Sequence, residues 1–199
     1  MNPMKRMLAL VAAVAGLGGL AAPARGAVVV AMDFDQLALD AHRVVLGEVV
    51  GIAARWSADK TIIETVVEVR VEVDLSASAA GTTVRIVQPG GRIGDVGLAV
   101  PGMPEFRQGE RVLLFLHVTG TDADGATTHA VVGLAQGKFA VLPRLGGGFD
   151  VVQQYPSGLA LAFPDAAGTL RAVERVRPIV LDLEEALDRI RCVRGEVTP

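Results

Sequence analysis

Cysteine is almost missing from this chain: Cys192 stands alone among 199 residues, which excludes an intrachain disulfide framework and a cysteine-rich zinc site. Histidine occurs three times, which leaves little room for the three or four converging ligands a zinc centre needs. Aromatic residues make up 4%, too few for the stacking platforms that bind single-stranded nucleic acid. Positive charge is not in excess either. The formal net charge is −3, and −5 once Lys5 and Arg6 leave with a leader, which argues against sequence-independent nucleic-acid binding. Beyond the first 20 residues no apolar run is long enough to span a bilayer as a helix.

The motifs of common chemistries are missing as well. Ser57, Ser76, Ser78 and Ser157 lie in no Gly-x-Ser-x-Gly context. Pro89-Gly90-Gly91-Arg92-Ile93-Gly94-Asp95 lacks the Lys-Ser/Thr that follows the glycines of a phosphate loop. Asp122-Ala123-Asp124-Gly125 has too few ligands for calcium and reads as a turn. With Asp124-Gly125 as a hairpin turn, His117 faces Val132 and His129 faces Gly120. That puts the two histidines roughly 10 Å apart, too far to share an ion directly. His42 closes a short helix and is expected to interact with its dipole. No catalytic residue, cofactor or metal is expected.

What the chain does carry is aliphatic. Apolar residues make up 51% and valines number thirty, a composition suited to strands. A chain of this size buries roughly 70% of its unfolded surface and needs no metal or disulfide to fold. At the front, Lys5 and Arg6 precede an apolar core from Met7 to Leu20 and then small residues. That is the three-part pattern of a signal peptide over residues 1–24, with cleavage after Ala24 or Gly26. The mature protein is expected to be exported, periplasmic or extracellular, with no membrane contact after cleavage.

Phe34, Leu37, Ala38 and Ala41 repeat at helical spacing, and Asp33 with Gln36 makes a capping box. Arg43 to Ile52 reads as a strand whose glycines mark bends or bulges. From 61 to 74, Ile63, Thr65, Val67, Val69, Val71 and Val73 face one way, while Glu64, Glu68, Arg70, Glu72 and Asp74 face the other. Those charges read as a solvated face. Thr83–Gln88 is a further strand, and Glu110–Val118 is apolar on both faces, as a central strand would be. Ala130–Leu134 returns from the Asp124-Gly125 turn, and Lys138–Leu142 with Phe149–Gln154 form the last hairpin, around Gly146-Gly147-Gly148. Residues 155–178 read as loop, punctuated by Pro156, Pro164, Gly168 and Pro178. A helix from Asp182 carries the stripe Leu183, Ala186, Leu187 and Ile190. Cys192 lies nine residues past Leu183, about 180° from that stripe, so its thiol is expected to be free, accessible and able to link two copies.

Ala41-His42-Arg43-Val44-Val45-Leu46-Gly47-Glu48-Val49, the valine-alternating strand at 61–74 and Gly109-Glu110-Arg111-Val112-Leu113-Leu114-Phe115-Leu116 resemble netrin-like domains. That barrel type, related to oligonucleotide/oligosaccharide-binding folds, also occurs in tissue inhibitors of metalloproteases. The whole chain also resembles a family of uncharacterised exported bacterial proteins, in the Trp56 segment, the Pro89-Gly90-Gly91 loop and Gly102-Met103-Pro104-Glu105-Phe106. The resemblance implies a mainly β fold: an OB-like (netrin-like) barrel over 27–155, with an added hairpin and short terminal helices, and residues 156–199 as a loop and helix packed on or beside it. The inhibitors chelate a protease zinc with an N-terminal cysteine. Neither Arg25 nor Ala27 supplies one, so that chemistry does not carry over.

The expected function is therefore an exported binding module for a protein or carbohydrate partner. The alternative is a secreted enzyme whose residues converge only in the fold. The stretch 88–109, dense in Gly and Pro, exceeds what joining two strands requires. Arg92, Asp95, Met103, Glu105, Phe106 and Arg107 give it the mix of charge and apolar anchors that partner surfaces use. The competing reading is a short hairpin, Arg92 to Val100, over an open barrel end plugged by Phe106. Trp56, beside Arg55, is either core or a stacking surface for a ligand.

Overall fold

The computed structural model describes residues 26–76, 81–173 and 176–195; the leader expected over 1–24 lies outside the described residues. The chain is mainly β. In order run β1 (Ala27–Val30), α1 (Phe34–Asp40), β2 (Arg43–Trp56), β3 (Ile63–Asp74) and β4 (Thr83–Pro89). Next come β5 (Gly91–Ile93), β6 (Val96–Leu98), β7 (Arg111–Thr121), β8 (Thr127–Val131), β9 (Lys138–Pro143) and β10 (Phe149–Gln153). The chain then forms β11 (Leu159–Pro164), β12 (Leu170–Val173), β13 (Val180–Asp182) and α2 (Leu183–Val193).

An eight-stranded sheet in the order β13-β10-β9-β7-β2-β3-β4-β8 is partly closed, because β8 also pairs with β7. Strands β7, β2, β3, β4 and β8 thus form a ring, closed by a parallel β4–β8 contact at Arg85–Thr128 and Ile86–His129. The second edge of β7 is shared end to end: Val112–Leu114 pair with β9, and Leu116–Thr121 pair with β8. The inner face of the ring buries Val45, Val69, Val71, Ile86, Val112 and Leu114. The outer faces of β2 and β7 lie under the helices, where Val44, Leu46, Leu113 and Phe115 join Phe34, Leu37, Leu183 and Ile190. This is why Val112–Leu116 is apolar on both faces. Rings Phe34, Phe115 and Phe139 meet edge to face, with centroids 5.4 to 5.7 Å apart.

Each helix starts where its cap predicts. Asp33 accepts from Gln36 N at 2.8 Å, and Gln36 Oε1 accepts from Asp33 N at 2.9 Å, so the capping box is complete. Asp182 accepts from the amides of Glu184 and Glu185. Leu183, Ala186, Leu187 and Ile190 are buried, as the stripe requires, and Cys192 is exposed. The glycines of β2 mark irregular register, with shifts at Leu46/Gly47 and Val49/Gly51. On β3 the outward charges pair across strands, Arg70 with Glu48 and Arg111 with Glu72. Exposed pairs of this kind contribute at most about 1 kcal/mol each.

Two expectations are corrected. Residues 155–178 are not a loop: β11 and β12 form a hairpin, and β11 pairs in parallel with β1 to make a separate three-stranded sheet. Pro156 and Pro164 flank and end a strand here, and Asp165–Thr169 is its turn, closed by Gly168 N donating to Asp165 O. The second correction is register. His117 pairs with Ala130 and Val118 with His129, two residues from the expected alignment, because the turn is wider and a bulge falls between Val118 and Gly120. Directly opposed residues share a sheet face, so His117 and His129 lie on opposite faces.

Candidate functional site

Part of the 88–109 stretch is regular. β5 and β6 form a two-stranded hairpin, with Arg92 opposite Gly97. Arg92 Nε donates to Gly94 O at 3.1 Å, and Arg92 and Asp95 are both exposed near the hairpin end. The remainder, Ala99 to Phe106, runs back along a groove of about 620 Å³. Its floor is the far end of the long strands, where Ile52, Val67 and Thr65 lie beside Gln88. Val100 to Phe106 forms one side, and the Pro156-Ser157-Gly158 turn contributes as well.

Three contacts hold the wall in place. Gly102, at φ +84°, is buried; a Cβ there would come within 3.0 to 3.1 Å of Ala27, Leu134 and Leu159, so only glycine lets the wall approach the small sheet. Gln88 Nε2 donates to Pro104 O at 2.9 Å, and Thr65 Oγ1 donates to Gly90 O at 2.7 Å. Phe106, partly buried, packs against the inner face of the ring. Because Pro104 O can only accept, the Gln88 amide is oriented, and its Oε1 is left buried with no hydrogen-bond partner.

A second cavity of about 310 Å³ adjoins the first through Glu105 and Pro156, and is lined by Arg107, Glu110, Lys138, Gln154 and Tyr155. Lys138 sits opposite Leu114, on the ring's inner face, and its side chain is 2% exposed. Its Nζ donates to Glu110 Oε1 at 2.7 Å and to Gln154 Oε1 at 3.1 Å, and lies 5.1 Å from the centroid of the Phe106 ring. Glu110 Oε2 accepts from Arg107 N at 3.1 Å. Burial pushes the Lys138 ammonium below the ordinary lysine value, and the Glu110 hydrogen bond pulls it back up. Burial also pushes the Tyr155 phenol up to about 12; its hydroxyl donates to Gln153 Oε1.

Of the residues singled out from sequence, Met103, Glu105 and Phe106 line the larger groove and Glu105 with Arg107 the smaller cavity. Arg92, Asp95 and Trp56 line neither. Trp56 is 44% exposed at the end of β2, and the neighbouring Arg55 is paired with Asp122 at 2.7 Å and Glu64 at 3.4 Å. Gln88, Glu110, Lys138, Gln154 and Tyr155 were not anticipated as site residues. The available signal was Lys138 itself, a lone charge at an inward position of the run Lys138-Phe139-Ala140-Val141.

The histidines occupy other surroundings. His42 Nδ1 accepts from Val118 N at 3.0 Å, which places its proton on Nε2 and ties the end of α1 to β7. The contact is to a neighbouring strand rather than to the helix. The His117 ring stands edge-on to it, with centroids 5.2 Å apart. Among the described residues no three of His, Cys, Asp and Glu gather as metal ligands, and no helix is long and apolar enough to cross a membrane. His129 is 3% exposed, and burial holds its pKa below the ordinary 6.5. The unfolded chain therefore takes up a proton that the native state resists as pH falls through about 6.5. Stability should fall between pH 7 and pH 5, and His129→Gln should flatten that slope in urea midpoints. An unchanged slope in the variant counts against this assignment.

The fold and site define a mainly β protein with a partly closed sheet and an apolar groove at one side. Comparison with protein-family models, curated proteins and solved structures yields no match.

Proposed function

We propose that this is an exported binding module, built on an OB-like (netrin-like) barrel, that takes up a segment of a protein partner in the groove beneath Val100–Phe106. The barrel assignment draws support from the ring order β7-β2-β3-β4-β8 and its parallel closing contact. The observation that carries the binding reading is the groove itself. It has an apolar floor, a wall of glycine and proline main chain, and the polar side chains of Thr65, Gln88 and Ser157 among its lining. Binding sites for small groups and peptides share this makeup, apolar with a few placed polar atoms. A carbohydrate site draws on aromatic faces, and Phe106 is the one aromatic lining this groove, its ring already facing Lys138.

The test uses the mature protein against immobilised peptide and oligosaccharide arrays. Peptide retention is expected, lost in Met103→Glu at an unchanged thermal midpoint, and kept in the double variant Arg92→Ala, Asp95→Ala. Retention of oligosaccharides alone, or peptide retention indifferent to Met103→Glu, overturns the reading. Export is checked on the same material. Its first residue is expected to be Arg25 or Ala27, and an intact Met1 on exported protein contradicts it.

A further inference from the structure

We infer that two copies of this chain join through the free edge of β2, pairing Ile52–Trp56 antiparallel about a twofold axis at Ala54, so that Trp56 of each copy packs on Ile52 of the other. Strand β7 pairs with only the first part of β2, Arg43–Glu48. Gly109 and Glu110 then bond the main chain of Val49, and Gln108 Nε2 donates to Val50 O. Beyond Val50 that edge has no hydrogen-bond partner among the described residues, although β3 follows the opposite edge as far as Trp56. The neighbouring strand fixes where the free groups point. Ser57 N donates to Ile62 O, while Ile63 O accepts from Gly90 N on the far side of β3. Ser57 therefore faces β3, as do Arg55 and Ala53, and the N–H and C=O groups of Ile52, Ala54 and Trp56 point away from it.

This edge lacks the usual guards. Ile52, Ala53, Ala54 and Trp56 are exposed, Ile52 at 40% and Trp56 at 44%. Proline and lysine, which keep free edges from pairing, are missing from Gly51–Trp56. The single charge, Arg55, is drawn away by Asp122 at 2.7 Å and Glu64 at 3.4 Å. What selects a second copy is self-complementarity. With the axis at Ala54, that residue meets its own counterpart and Ile52 meets Trp56 twice over, so every outward N–H and C=O from Ile52 to Trp56 is paired. A shift that sets Trp56 against Val50 meets a carbonyl Gln108 already holds. The side chains of Ile52, Ala54 and Trp56 share one sheet face. Each tryptophan then lies across from an isoleucine, an aromatic and β-branched pair, with the small alanines between. A foreign strand could satisfy the hydrogen bonds; a second copy also covers both exposed tryptophans. Ile52 belongs to the groove floor, so the axis sets two grooves side by side on one face of a continuous sheet.

The test sediments the mature protein over a range of concentrations, in a Cys192→Ser background that removes the exposed thiol. Emission from Trp56, the single tryptophan, is recorded alongside. One strand pair buries less than the roughly 1,200 Å² of a stable assembly, so half-association is expected at about 100 µM, with Trp56 emission moving to shorter wavelength as the dimer forms. Ala54→Pro should hold the protein monomeric at an unchanged thermal midpoint in dilute solution, because an edge strand tolerates proline where its N–H faces solvent. Trp56→Lys should do the same by placing charge on the edge. Cysteines report the register. Ala54→Cys faces its own counterpart at roughly 5.5 Å between Cα atoms and should form a disulfide-linked dimer on mild oxidation. Ala53→Cys stands diagonally from its counterpart at roughly 7–8 Å and should not. A monomer at every concentration up to about 1 mM, or a dimer indifferent to both Ala54→Pro and Trp56→Lys, overturns the inference. So does a monomer whose Ile52 and Trp56 amide signals shift only with the peptides retained on the array, since the edge then serves a foreign strand. Equal cross-linking at positions 53 and 54 overturns the register.

Discussion

Glu110→Ala is expected to lower the free energy of unfolding by about 3–5 kcal/mol, because it strands the buried ammonium of Lys138 without a counter-charge. The asymmetry of the pair decides which partner matters more. Lys138 is 2% exposed and Glu110 16%. The carboxylate left behind by Lys138→Met can be rehydrated, and methionine fills the same volume beside Leu114, so that variant should cost clearly less. The double variant Lys138→Met, Glu110→Leu should recover most of the loss, as apolar replacements of buried pairs do. The sign of the pH dependence follows from burial. Lys138 is held below its unfolded value of 10.5, so in the window beneath that value the unfolded chain binds more protons than the native one. Stability from this group then rises as pH is raised toward 10.5 and is lowest where the ammonium is fully charged in both states. In Glu110→Ala the raising hydrogen bond is gone, the native pKa falls further, and the gain in stability from pH 7 to pH 9.5 should exceed that of the unmodified protein. Urea unfolding at the two pH values measures it. A loss below 1 kcal/mol, or an identical pH gain, would show that water replaces Glu110 at no cost. The pair also anchors the groove wall: Glu110 Oε2 holds Arg107 N and Lys138 faces Phe106, so loosening should appear at Phe106 before global unfolding.

What was legible in the sequence was local. The period of two from Ile63 to Val73, the capping box at Asp33 and the stripe from Leu183 to Ile190 each state their element within a dozen residues, and each is formed. Illegible features depended on distant partners. Leu159-Ala160-Leu161-Ala162 looked like part of a loop because prolines flank it; what makes it a strand is β1, more than 120 residues earlier, lying parallel to it through Ala27–Leu159 and Val30–Ala162. The β7–β8 register was missed by two residues because the Asp122–Ala126 turn and the Val118/Gly120 bulge set it, neither of which the Asp124-Gly125 pair alone encodes. For the site, Met103, Glu105 and Phe106 could be found because loop composition is a local property. Gln88 could not, since its significance lies in a contact to Pro104, and Lys138 shows in sequence only as a lone charge at an inward position, its counter-charge being supplied by the fold.

Gly47→Ala is expected to destabilise the protein by about 3 kcal/mol, at the upper end of what overpacking costs. Gly47 lies mid-ring, between Val71 of β3 and Val112 of β7. A Cβ there would stand 2.4 Å from the carbonyl oxygen of Arg70 and 2.9 Å from Val69 Cγ1. Neither obstacle is the free end of a flexible chain. The carbonyl belongs to the adjoining strand, so relief requires β2 and β3 to part at the register shift. Gly51 makes the control. It sits at the other register shift of β2, and its nearest obstacle is Glu68 Oε2 at 3.3 Å, the end of a side chain that can swing away. Gly51→Ala should therefore change stability by less than about 1 kcal/mol. Urea midpoints of the two variants, at matched m-values, test the contrast. Similar midpoints would mean that β2 can shift as a whole and that the shift at Leu46/Gly47 is not what keeps the strands close. The same register break reaches the groove. A bulge bends its strand, and beyond Gly47 and Gly51 the strands β2 and β3 continue to Ile52, Thr65 and Val67, the groove floor. A folded Gly47→Ala protein at low temperature should therefore retain peptides on the array more weakly, although Gly47 itself does not line the groove.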